Sequence, residues 1–118
     1  MGDAWSLLIV RDLMFYGRNS FKAFREGGEK IATNILTDRL LRLEEAGIIR
    51  KKRDSQDARR VAYFLTEKGI ELAPTLVEMI LWAARHEKTA ASPATIREMT
   101  QNKAKFLADL RRRWKAAQ

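Results

Sequence analysis

A mainly α fold with one small β-hairpin is predicted by three observations. Apolar residues recur at three- and four-residue steps through most of the chain, the spacing of one face of a helix. That rhythm breaks once, where Ile48–Arg53 and Arg60–Leu65 take on strand character around a polar turn. Serine, proline and glycine fall where helices of these lengths must start and stop.

Each element follows from its own residues. Between Asp3 and Tyr16 a helix is expected, with Asp3 as N-cap, Trp5, Leu8, Ile9 and Leu13 on one face, and Gly17 as its stop. Ser20 is a second N-cap and opens a short helix through Phe21, Phe24 and Arg25, which Gly27 and Gly28 end. A third helix begins near Ala32 or Thr33 and runs to Ala46, where Gly47 stops it. Its apolar face holds Leu36, Leu40 and Leu43, while Asn34, Thr37, Asp38, Leu41 and Glu45 point largely the other way. Leu41 is expected to pack on a neighbouring segment. In the second strand Val61, Tyr63 and Leu65 alternate with Ala62 and Phe64, and Asp54-Ser55-Gln56-Asp57-Ala58 supplies the turn. Thr66 caps a further helix reaching about His86, with Pro74 either bending it or marking its real start. Ser92-Pro93 restarts the chain as one last helix carrying Ile96, Met99, Phe106, Leu110 and Trp114.

At 118 residues, 46% of them hydrophobic, the chain is expected to form one compact unit. Residues 1–86 make up its main domain, and a C-terminal helix over 92–116 packs as part of the same unit. A net charge of +8 asks for a polyanionic partner, nucleic acid before any other. The absence of cysteine excludes disulfides, thiolate metal sites and thiol-based redox sensing. No apolar run approaches bilayer length and no secretory leader is visible, so a soluble, cytoplasmic protein with no membrane partner is expected.

Three helices followed by a hairpin is the order of a winged helix-turn-helix. In that motif the second of the paired helices enters the major groove N-terminus first. Thr33, Asn34 and Thr37 sit at that end; Asn pairs bidentately with adenine, and Thr meets a base edge or a thymine methyl. Asp38, Arg39 and Arg42 complete the candidate recognition face, with Asp38 also placed to pair with Arg42 at i+4. Arg50, Lys51, Lys52 and Arg53 lead into the hairpin tip and Arg59 and Arg60 lead out, a cationic wing suited to the phosphate backbone or the minor groove. Ser20 and Lys22 flank it as further candidates. The C-terminal stripe Ile96, Met99, Phe106, Leu110 and Trp114, together with Trp5, is the candidate dimer interface.

The stretch Trp5-Ser6-Leu7-Leu8-Ile9-Val10-Arg11-Asp12-Leu13, then Ser20-Phe21 with Phe24 and Arg25, resembles the opening of the HxlR-type winged-helix regulators. Ile31, Leu36-Thr37-Asp38-Arg39-Leu40 and Leu43-Glu44-Glu45-Ala46-Gly47-Ile48-Ile49 are similar to that family's recognition helix. Tyr63, Leu65-Thr66, Gly69, Leu72 and Trp82 continue the match, which covers roughly residues 2 to 86. The wing, Asp57-Ala58-Arg59 with Leu65-Thr66 and Gly69, is closer to the MarR type. The resemblance implies a homodimer on pseudo-palindromic duplex DNA, most commonly a repressor, joined through its terminal helices. It also implies that Asn34, Thr37 and Asp38 are exposed recognition positions and that Arg59 and Arg60 belong to the wing. The lack of cysteine departs from many members of that family. A small-molecule effector is left open.

Catalysis is not expected. There is no Gly-rich phosphate loop, no metal-ligand cluster and no nucleophile set, and no cofactor is called for. His86, the single histidine, reads as a capping or surface group. Two rivals stand beside the regulator: a winged-helix protein-interaction module, and a non-specific DNA- or RNA-binding protein.

Overall fold

The computed structural model describes residues 4–27, 30–57, 59–87 and 92–118. The expected cap Asp3, the second turn glycine Gly28 and Ala58 of the hairpin turn lie outside them. The chain divides into two compact units, Met1–Ile70 and Glu71–Gln118.

The first unit contains α1 (Ala4–Phe15), α2 (Phe21–Arg25), α3 (Thr33–Glu45), β1 (Ile49–Arg53), β2 (Val61–Leu65) and α4 (Glu67–Ile70). Ends fall where local chemistry places them. Gly17 follows α1 with φ +64°, and Gly47 follows α3 with φ +76°, a conformation that costs glycine nothing. The Ser20 hydroxyl accepts the Ala23 N–H at 3.1 Å, capping α2. Thr66 caps α4 in the same way, accepting from Gly69 N–H at 3.1 Å.

The core of this unit is built on the apolar face of α3. Leu36, Leu40 and Leu43 are buried, joined by Ile9 and Val10 of α1, Phe24 of α2, and Ile49 and Leu65 at the base of the hairpin. Each such side chain contributes roughly 1.5–3 kcal/mol on full burial. Helix α1 departs from the face expected of it. Ser6, Ile9, Val10, Asp12 and Met14 are its buried residues, and Trp5, Leu8 and Leu13 are only half-buried. The helix packs against both α3 and β2, so more than one of its sides is covered.

β1 and β2 pair antiparallel with Ile49 opposite Leu65 and Arg53 opposite Val61. Burial falls from Ile49 outward along β1, so the hairpin is rooted in the core and projects into solvent. Its base is held by a clasp. The Thr66 hydroxyl donates to the Gly47 carbonyl at 2.6 Å, the Thr66 N–H donates to the Ile48 carbonyl at 3.0 Å, and Lys68 Nζ donates to the Ala46 carbonyl at 2.8 Å.

The second unit contains α5 (Ala73–His86), α6 (Pro93–Gln101) and α7 (Lys103–Ala116). Pro74 stands in the first turn of α5, so it marks that helix's start and does not bend it. Ser92 caps α6 through the Thr95 N–H at 3.1 Å. The single C-terminal helix expected over 92–116 is in fact two. At Asn102 the backbone leaves the helical region (φ −128°, ψ 44°), and its side chain turns back to Glu98 Oε1 at 3.5 Å. Asn is among the weaker helix formers, and the break falls there. Among the described residues no helix is long and apolar enough to cross a membrane.

Candidate nucleic-acid interface

One ridge of α3 faces solvent. Thr33, Asn34 and Thr37 are exposed, as expected of recognition positions. The Thr37 hydroxyl donates its proton to the Thr33 carbonyl at 2.9 Å, so outward it offers an acceptor and a methyl group. Asp38 pairs with Arg42 Nε at 2.9 Å, the expected i+4 partner, and also with Arg39. Those two guanidiniums offset the Asp38 carboxylate, which would otherwise repel phosphate. The N-cap position of α3 is Ala32, which supplies no side-chain hydrogen bond to the first-turn amides.

Leu41 corrects an expectation. It does not pack on a neighbouring segment but remains 53% exposed on the same ridge. Among the described residues of the first unit, none covers that side of α3.

Between α2 and the outer part of the hairpin lies an open groove of about 1190 Å³. Ser20 and Lys22 form one wall, and Lys52, Arg53, Arg59 and Arg60 line the wing side, so the structure brings together all but one of the wing and flank candidates. The exception is Lys51, which pairs with Glu44 of α3 at 3.8 Å. Two further contributions, one cationic and one aromatic, were missed in the sequence. Arg25 adds a cation one turn beyond Lys22, and Tyr63 and Phe64 form part of the floor. The i+3 spacing of Lys22 and Arg25 was the available signal for the first; the second depends on how the chain closes. The Tyr63 N–H donates to the Asn19 carbonyl at 2.8 Å, which draws the start of α2 against β2. Burial, reinforced by the nearby Glu44 carboxylate, raises the Tyr63 phenol above its ordinary pKa, so it stays a neutral donor.

The acids of the hairpin tip are used for shape. Asp54 accepts the Gln56 N–H at 2.8 Å and Asp57 accepts the Arg59 N–H at 3.0 Å. Arg59 also meets Asp57 at 3.2 Å while its side chain stays 92% exposed. Phe64 stacks under the Arg50 guanidinium at 4.9 Å.

The candidate dimer residues behave differently from one another. Met99 and Leu110 are buried within the chain. Trp5, Ile96, Phe106 and Trp114 are half-buried. Trp82 is exposed and stacks on His86 with ring centroids 5.0 Å apart, so the histidine is a surface group. Among the described residues no group of His, Cys, Asp or Glu is arranged to hold a metal ion.

Comparison with known proteins agrees with this architecture. Residues 1–91 match the family described as HxlR-like helix-turn-helix. The transcriptional regulator YodB of Bacillus subtilis (strain 168) is 35% identical over 83 residues, 70% of this chain and 73% of its own. The crystal structure of PA1607, described as a putative transcription factor, superposes with a TM-score of 0.66 at 35% identity, over 77% of this chain and 62% of that one. The transcriptional regulator SlyA, of the MarR type, shares the fold at 18% identity, with a TM-score of 0.60 over 98% of this chain and 80% of its own. The chain belongs to the HxlR-like helix-turn-helix family, a family of DNA-binding transcriptional regulators and not of enzymes.

Proposed function

We propose that this protein is a sequence-specific double-stranded DNA-binding regulator, most simply a repressor that occludes a pseudo-palindromic operator as a homodimer. One observation carries the reading. The exposed ridge of α3 and a groove lined by cations of α2 and the wing occur in the same unit. The ridge enters a major groove, with Thr33, Asn34 and Thr37 toward base edges. Arg39 and Arg42, held around Asp38, flank it. The wing follows the adjoining phosphate backbone. Two chains join through Trp5, Ile96, Phe106 and Trp114. Met99 and Leu110 keep too little surface to contribute there directly.

Selection from a random-sequence duplex pool at physiological salt, with stoichiometry from light scattering, tests this. An inverted repeat bound by two chains is the expected result. Binding without an enriched motif points to a non-specific binder, and no binding at all points to a protein-interaction module.

The two surfaces have different signatures. Asn34→Ala is expected to cost about 1–3 kcal/mol at one operator position and to relax the base preference there, read by titrating single-substituted operators. Arg60→Ala is expected to weaken binding to all duplexes alike. It should also reduce the magnitude of the log–log salt slope by about 0.9, the value of one lost phosphate contact. An unchanged slope removes the wing from the interface.

A further inference from the structure

Leu41 occupies the middle of the exposed ridge of α3. At 100° per residue Asn34, Thr37, Leu41 and Glu45 fall within about 80° of one another, opposite Leu36, Leu40 and Leu43. All four ridge residues are exposed. Among the described residues of the unit Met1–Ile70, no other large apolar side chain is left so open. Two of the polar groups around it are engaged: Asp38 with Arg39 and Arg42, and the Thr37 hydroxyl proton with the Thr33 carbonyl. A leucine at this place can neither pair with phosphate nor hydrogen-bond a base edge. What it can do is bury an apolar group, and the major groove of unmodified DNA presents one, the C5-methyl of thymine.

We propose that Leu41 is a specificity-determining residue whose side chain packs on the C5-methyl of a thymine in each operator half-site. The inference rests on the reading that α3 enters the major groove. Leu41 lies seven residues beyond Asn34, about 10.5 Å along the helix axis at 1.5 Å per residue. That distance is about three base-pair steps at 3.4 Å each. Leu41 and Asn34 therefore meet different base pairs of one half-site.

The test uses the full chain and an operator recovered by selection. Each thymine is replaced in turn by deoxyuridine, which keeps every hydrogen-bonding edge and removes only the methyl. Wild-type protein is expected to lose about three- to tenfold in affinity at one symmetry-related pair of positions. Leu41→Ala is expected to bind the thymine and uracil operators equally, while Leu41→Met and Asn34→Ala keep the difference. Alanine at an exposed helical position favours the helix, so the variant retains the fold. Indifference of the wild type to every uracil overturns the proposal, as does a methyl effect that persists in Leu41→Ala. Failure to recover any operator defeats the parent reading, and this inference with it, by a separate result.

Discussion

Exchanging Gly69 for alanine is expected to destabilise the unit Met1–Ile70 by about 3 kcal/mol, the upper end of the usual cost of overpacking. A Cβ at this position stands 2.3 Å from the Ile48 carbonyl oxygen and 3.0 Å from Leu65 Cδ2. The first neighbour is backbone and cannot step aside, because the same carbonyl accepts the Thr66 N–H at 3.0 Å. Relief would require α4 to lift away from the end of α3, breaking the clasp under the hairpin. Gly47 provides the contrast. Its φ is +76° but a Cβ there meets nothing within 4 Å. Gly47→Ala therefore incurs backbone strain alone, about 1–2 kcal/mol. Urea denaturation of the two variants separates steric conflict from strain; equal losses refute the assignment.

Asp12→Ala is expected to cost about 3 kcal/mol, the lower end of the range for removing one partner of a buried ion pair. Only 6% of the Asp12 side-chain surface is exposed, and its Oδ1 accepts from Arg11 Nη2 at 2.9 Å and from Arg18 Nη1 at 3.1 Å. Both guanidiniums also lie over the Tyr16 ring, at 5.2 and 5.1 Å. Without the carboxylate, two partly buried cations are left beside the same ring. The turn they hold contains Asn19, the residue bonded to Tyr63 of the wing, so a loss of order at β2 accompanies the loss of stability. The control is Asp109→Ala. Its partner Arg112 is 74% exposed, and surface pairs contribute about 0–1 kcal/mol. Thermal midpoints decide it: about 12 °C or more lost for Asp12→Ala, against a few degrees for Asp109→Ala.

Much of this architecture was legible before any coordinates, because it is written in local chemistry. Ser20 and Ser92 cap helices through bonds to residues three places on, and Gly17 and Gly47 stop them by adopting positive φ; both effects act over a few residues. The leucine spacing of α3 and the hairpin turn are local in the same sense. What escaped depends on contacts distant in sequence. The pairing of β2 with the loop at Asn19 brings Tyr63 beside Lys22 and Arg25, and no periodicity reports it. The burial of Asp12 could not be read from a charged residue in a helix. The break at Asn102 was hidden by an apolar rhythm that continues across it from Met99 to Phe106. Leu41 failed in the opposite direction: an apolar residue invited a packing partner that the described residues of the unit do not supply. The ridge and the wing were thus identified as separate features, and the groove that unites them required the fold.

The clasp of Thr66 and Lys68 on the end of α3 also bears on how the wing can vary. Residues 46–48 and 66–68 are fastened to each other independently of the hairpin they enclose. The tip is closed a second time by the Asp54 N–H on the Arg60 carbonyl at 2.8 Å. Added residues between Asp54 and Arg60 would disturb neither fastening. Their cost is closure entropy, about 0.6 kcal/mol for each doubling of loop length. Length and composition at the tip are consequently free to drift while the root stays unchanged, which lets the reach of the wing diversify without placing the fold at risk.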